Sequence, residues 1–192
     1  MKKFILILIF TLGFQSWIKA DDIRDFKIEG MSIGDSLLDF MSKNEIKNNT
    51  MQYFSGERKY FITAFNNNLD NYDQLELYIK TGDKNYIIQT ILAGIFIEDL
   101  NDCLVMKKEV ANYLDKVFPN IKRESGSKKH EADKKGKSIQ YIDQYVLNFP
   151  THVRVECTEF SDEMINSGKG NNSLNVVAMT DNVYKWVSSG YK

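Results

Sequence analysis

Cysteine, histidine, proline and tryptophan are scarce in this chain, with two of each among 192 residues. Two cysteines, Cys103 and Cys157, cannot build a multi-bridge framework. In an exported chain they permit one disulfide, and otherwise they stand as two separately buried thiols. With His130 and His152 dispersed, they form no ligand cluster, so no metal is expected. No cofactor fingerprint and no catalytic constellation is present either, so the chain reads as a non-enzyme without cofactors. Positive charge is not in excess: 25 Lys and Arg stand against 26 Asp and Glu, a net −1, which argues against a nucleic-acid partner. Apolar runs are short. The longest, Phe4–Phe14, falls below the roughly 20 residues needed to cross a bilayer.

That run sits between Lys2-Lys3 and Ile18-Lys19-Ala20, the order of a secretory signal peptide with cleavage expected after Ala20. The alternative is an uncleaved N-terminal anchor. No cysteine stands at the expected cleavage point, which disfavours a lipoprotein. Losing residues 1–20 removes three lysines and no acids, leaving a net −4. Residues 21–192 are then expected to form a single periplasmic domain, long enough to bury roughly two-thirds of its chain surface.

The organising stretch runs from Tyr53 to Phe118. Segments Glu57–Phe65, Tyr72–Lys80 and Tyr86–Glu98 are three apolar stretches with strand-like patterning. In the second, Leu75, Leu77 and Ile79 share a face opposite Glu76, Tyr78 and Lys80, the period of two of a half-buried strand. Turn-forming residues at Asn66–Asn71 and Gly82–Asn85 make this an antiparallel meander. The third strand is apolar on both faces, and Gly94 within it marks a bulge or a close backbone approach. Behind Asp99, Leu100, Cys103, Leu104, Ala111, Leu114, Val117 and Phe118 form a helical stripe ended by Pro119.

Upstream, Ile23, Phe26 and Ile28 read as an extended lead-in. Ser32 with Asp35 predicts the cap of a helix carrying Ile33, Leu37, Phe40 and Met41. Downstream, Asn120–Ser138 reads as a polar loop. Ile139–Phe149, Val153–Phe160 and Leu174–Met179 read as strands, with Ser161–Asn172 a loop. A last helix bears Val183, Trp186 and Val187, with Asp181 as cap and Gly190 as stop. The expected architecture is α+β, in the order α-βββ-α-βββ-α, with helices packed on one face of antiparallel sheet. Runs of strands between helices speak against a parallel doubly wound sheet.

Gly34-Asp35-Ser36-Leu37 spells the nucleophile signature of the GDSL esterases, and a hydrolase using Ser36 is the minor alternative. That chemistry needs a serine after a first parallel strand, activated by a distant Asp-x-x-His. Here Glu29-Gly30-Met31-Ser32 precede Gly34 in place of a strand. Ser127 and Phe149 stand three positions before His130 and His152.

Ile28-Glu29-Gly30-Met31-Ser32 resembles the opening of small outer-membrane-assembly lipoproteins of the SmpA/OmlA type and of the related β-lactamase-inhibitor-like fold. The resemblance implies a helical layer on an antiparallel sheet and a role in protein binding or scaffolding. The family's lipid-bearing cysteine has no counterpart here. The wider string from Asp22-Ile23-Arg24-Asp25-Phe26 through Gly30-Met31-Ser32-Ile33-Gly34-Asp35-Ser36-Leu37 is similar to the start of a group of small exported bacterial proteins, which implies no particular activity.

Two stretches are candidates for binding. Residues 122–137 carry seven basic residues, including Lys128 and Lys129 beside His130, against three acids. This net +4 suits an acidic partner or a weak contact with an anionic membrane surface, or else is a solvated connection. Tyr141, Asp143 and Tyr145 share one face of their strand, where an acid among aromatics can mark a recognition surface, or be an edge-strand acid hydrogen-bonded by a neighbouring tyrosine, or belong to a face partly open to water. The leading expectation is an envelope protein that binds another protein through its sheet or basic loop. The second is a carrier of a small apolar ligand or lipid between sheet and helices. The intact mass of the exported protein is expected to begin at Asp21; a mass that retains residues 1–20 would establish the uncleaved anchor instead.

Overall fold

The computed structural model describes residues 23–51, 59–65, 69, 71–147 and 151–189. The expected leader, the start of the first meander strand at Glu57, most of the turn at Asn66–Asn71, the tight connection at Pro150 and the stop at Gly190 lie outside these residues. Among the described residues the fold is α+β, one antiparallel eight-stranded sheet with four α-helices. In chain order come α1 (Lys43–Asn48), β1 (Thr50–Met51), β2 (Tyr60–Phe65), β3 (Gln74–Lys80) and β4 (Ile88–Phe96). Then follow α2 (Leu100–Val117), β5 (Arg123–Lys129), β6 (Ile139–Val146), β7 (Thr151–Glu159), α3 (Asp162–Asn166), β8 (Ser173–Thr180) and α4 (Asp181–Ser188).

The strands lie side by side as β1-β2-β3-β4-β8-β7-β6-β5. Each half is a meander, because short connections let consecutive antiparallel strands pair. Helix α2 carries the chain from β4 to the far edge, from which β5 to β8 return to meet β4. There seven residue pairs, from Thr90 opposite Met179 to Phe96 opposite Ser173, join the halves.

Alternation fixes the two faces. Leu75, Leu77, Ile79, Ile91, Ala93, Val153, Val155, Cys157, Leu174, Val176 and Ala178 point to one side. There they join Cys103, Ala111, Leu114 and Phe118 from α2 and its end, together with Ile23, Ile28, Met31, Ile33, Leu37 and Ile46. Asp99 caps α2 by accepting from the Asp102 amide at 3.0 Å. The two cysteines are joined: Cys103 on α2 and Cys157 on β7 have sulfurs 2.04 Å apart. Gly94 marks the close approach, since a Cβ there would lie 2.5 Å from Asn175 Oδ1 and 2.7 Å from Gln74 Nε2. The irregularity lies elsewhere, in β3 between Tyr78 and Ile79.

Five expectations need correction. The helix expected from Ser32 onward is absent. Glu29 and Gly30 take φ of 50° and 79°, and Ile28 and Met31 exchange backbone hydrogen bonds across them. Ser32 accepts nothing as a cap: its hydroxyl donates to the carbonyls of Arg24 and Phe26. Gly34, at φ 94°, then lets the chain run beside β4, donating to the Ile88 carbonyl. Only a 3-10 turn, Leu37–Asp39, follows Ser36. Residues 123–129 form β5 rather than a loop. The loop after β7 contains α3. Finally, the helices do not share one face: Val183 and Trp186 of α4 pack with Tyr60 and Tyr78, and Tyr78 points away from its neighbours Leu77 and Ile79. Thr180, not Asp181, occupies the N-cap of α4.

The bridge closes a separation of 54 residues, for which loop-closure entropy gives about 4 kcal/mol of stabilisation. The Cys103→Ala/Cys157→Ala protein should unfold at correspondingly lower urea than the oxidised wild type. Equal midpoints would show that the bridge does not restrain the unfolded chain.

Candidate binding surfaces

Strand β5, Arg-Glu-Ser-Gly-Ser-Lys-Lys, has no apolar side chain, and all but Arg123 are exposed. It pairs with β6 on one side only and ends the sheet among the described residues. The turn that holds it to β6 is built on Asp133. This buried carboxylate accepts from the backbone amides of Lys135 at 3.0 Å, Lys137 at 3.3 Å and Ser138 at 2.9 Å. It also accepts from the hydroxyls of Ser138 at 2.7 Å and Ser161 at 3.1 Å. Those donors, led by the Ser138 hydroxyl, hold its carboxyl well below the usual carboxylate range.

Lys128 and Lys129 thus project from an ordered hairpin. Lys128 lies 3.3 Å from Glu131, and Arg123 lies 3.4 Å from Asp115 on α2. His130 is no part of an open basic cluster. Its ring packs on Phe160 with centroids 4.7 Å apart, and its Nδ1 accepts from the Ala132 amide. Burial, the largest cause, pushes its pKa below the ordinary histidine value. A cation beside Lys128 would meet that neutral ring and a lysine.

The structure places Tyr141, Asp143 and Tyr145 on the side of β6 that faces α2. Tyr145 is fully buried, donating within 2.8 Å of the Ala111 carbonyl and of Asp115 Oδ1. Burial, with the Asp115 carboxylate beside it, raises its pKa to a value outside the physiological range. Asp143 is paired with Lys107 of α2, both side chains largely buried. Tyr141, half-buried, lies against the same core. The acid among tyrosines therefore anchors α2 to the sheet, and its partner is a lysine rather than a tyrosine.

Sequence reasoning missed the polar middle of the other face. Arg154 and Glu156 are 8% and 3% exposed and form an ion pair at 3.5 Å. Gln140 reaches Glu156 at 3.3 Å, and Gln74 reaches Asn175 at 3.4 Å. Arg154 Nε has no hydrogen-bond partner among the described residues. The alternation of β7 sets these side chains on the face opposite Val153, Val155 and Cys157, but it carries no signal that they are shielded from water. At the end of that face His152 stacks on Tyr184 with centroids 4.1 Å apart and lies 3.6 Å from Asp181. Burial pushes its pKa down, the Asp181 carboxylate opposing.

Ser36 pairs with Ile87, immediately before β4. Its hydroxyl donates to the Asn85 carbonyl at 2.7 Å and accepts from the Leu38 amide, while both histidine rings are engaged with the residues named above. No group of three or more metal-capable side chains occurs among the described residues. No helix among them is long and apolar enough to cross a membrane. The chain matches no protein-family model, no curated protein and no solved structure.

The Asp133 turn makes the hairpin sensitive to acid. A carboxyl with its folded pKa below the unfolded value near 3.9 contributes stability above that pH and loses it as pH falls toward the folded value. Asp133→Asn should therefore unfold at lower urea than wild type at pH 7, and the gap should narrow as pH falls below about 4. A gap that stays constant with pH would show that the carboxylate charge is not what ties the turn.

Proposed function

We propose that this chain is a non-enzymatic, exported envelope protein that binds another protein through its basic β5–β6 hairpin. One observation carries the reading: an exposed seven-residue strand with one side unpaired, basic at both ends, held in place by a buried carboxylate. Ordered, charged and apolar-free, it is built neither as a core element nor as a slack connection. The net +4 of residues 122–137 stands on a chain that is acidic elsewhere, which favours an acidic partner over an acidic surface of its own.

Export is supported by the leader-like order of residues 1–20 and by the disulfide, which persists in oxidising compartments. Carriage of an apolar ligand has less support, because Leu114, Phe118 and Tyr145, each at most 1% exposed, occupy the space between α2 and the sheet.

A photo-crosslinking residue at Lys129 should capture a discrete protein in the native envelope. Charge reversal by Lys128→Glu with Lys122→Glu should reduce that capture severalfold, since like charges now oppose the partner. Absence of any adduct, or capture indifferent to the reversal, would overturn the reading.

A further inference from the structure

The backbone of β5 assigns its partner a conformation. His130 donates to the Ser138 carbonyl, and β5 and β6 keep the same register throughout, from Arg123 opposite Tyr145 to Lys129 opposite Ile139. In an antiparallel ladder, hydrogen-bonded and non-hydrogen-bonded pairs alternate. His130 is a hydrogen-bonded pair, so Lys128, Gly126 and Glu124 are also bonded to β6. The amides and carbonyls of Arg123, Ser125, Ser127 and Lys129 consequently point outward. They form a row about 20 Å long at strand spacing, and their side chains are exposed or half-buried.

We propose that this row accepts an extended acidic segment of the partner as a ninth strand of the sheet. The proposal rests on the protein-binding reading above and adds the mode and the partner's chemistry. Main-chain bonds supply the affinity of such strand addition and alternate side chains its specificity. On the face toward α2 the strand carries Arg123 and Lys129 with Ser125 and Ser127 between, so the partner places its acids there. On the other face Gly126 lies opposite Ile142. A Cβ built at Gly126 would meet nothing within 4 Å, and Ile142 is only half-buried. The gap suits an apolar side chain of the partner, which would cover Ile142. An acidic segment with an apolar residue at the Gly126 gap meets the basic ends on one face and covers Ile142 on the other, where Glu124 and Lys128 flank the gap. A second copy of this chain fits worse: pairing about Gly126 sets Arg123 opposite Lys129 of the other copy, and lysines on an edge strand act against self-association.

The test is proline. At Ser127 it removes an outward amide while leaving every bond to β6, and proline is tolerated on an edge strand in that orientation. The full chain with Ser127→Pro should keep the wild-type melting temperature within a few degrees. Ser125→Pro serves the same purpose should the first variant unfold, and Ser127→Ala controls for the side chain. The probes are a nine-residue peptide alternating glutamate and valine and its lysine-for-glutamate counterpart. Wild type and Ser127→Ala should bind the acidic peptide about tenfold or more tighter than the basic one, the difference shrinking at high salt. The proline variants should lose that binding and also lose the capture at Lys129. Capture that survives proline, with no peptide preference, would overturn strand addition while leaving protein binding intact. Absence of capture in wild type as well would overturn both. A concentration-dependent dimer abolished by proline would assign the edge to a second copy and overturn the acidic partner.

Discussion

The seam between β4 and β8 is the interaction on which the rest of this fold depends. Residues 90–96 meet residues 173–179 across some eighty positions of chain, and the entropy of closing that separation is offset only when both meanders are in place. The pairing imposes one alternation on all eight strands. Every odd position of β7 and even position of β8 then faces α2, and slipping the seam by one residue would exchange the faces. Remote residues acquire fixed roles from it. Cys157 reaches Cys103, Asp143 reaches Lys107, and Arg154 and Glu156 are sent to the opposite side.

Sealing the two faces takes different chemistry. Toward α2 the core is aliphatic and aromatic, locked by the disulfide and by the Tyr145 hydroxyl on the last turns of the helix. The other face carries α4 at one end and, between the strands, a polar middle in which charged and amide side chains pair with one another while Arg154 Nε is left without a hydrogen-bond partner among the described residues. Buried polar groups of this kind are costly when unmatched and add to specificity when matched. Strand β5 at the far edge shares in neither core. Its order comes from one carboxylate gathering five donors, an arrangement that holds a basic strand extended without burying any of its side chains.

How far the chain could be read depended on what each element buries. Strand β3 and helix α2 each present one apolar face to the core, so Leu75-x-Leu77-x-Ile79 and the stripe from Leu100 to Phe118 declare their periods. Strand β5 buries no face; Arg-Glu-Ser-Gly-Ser-Lys-Lys satisfies the backbone through β6 alone, and nothing in its composition separates it from a loop. At Ser32–Met41 the local signals conflicted. Ser32 with Asp35 and the spacing of Ile33, Leu37 and Met41 favoured helix, yet Gly34 in the left-handed region and pairing beside β4 prevailed, as tertiary contacts routinely override propensity. The Tyr141, Asp143, Tyr145 row was legible as a face. Which side of the sheet α2 would cover was not, because both sides of β6 mix polar and apolar residues.

The central claim is that residues 123–129 are a strand with one side satisfied and the other open. Amide hydrogen exchange resolved along this segment tests it most directly. Slow exchange at Glu124, Gly126 and Lys128 with fast exchange at Arg123, Ser125, Ser127 and Lys129 is the expected pattern. Uniformly fast exchange would return the segment to a loop, and uniform protection would show that the outer side is already covered; either result would contradict the account.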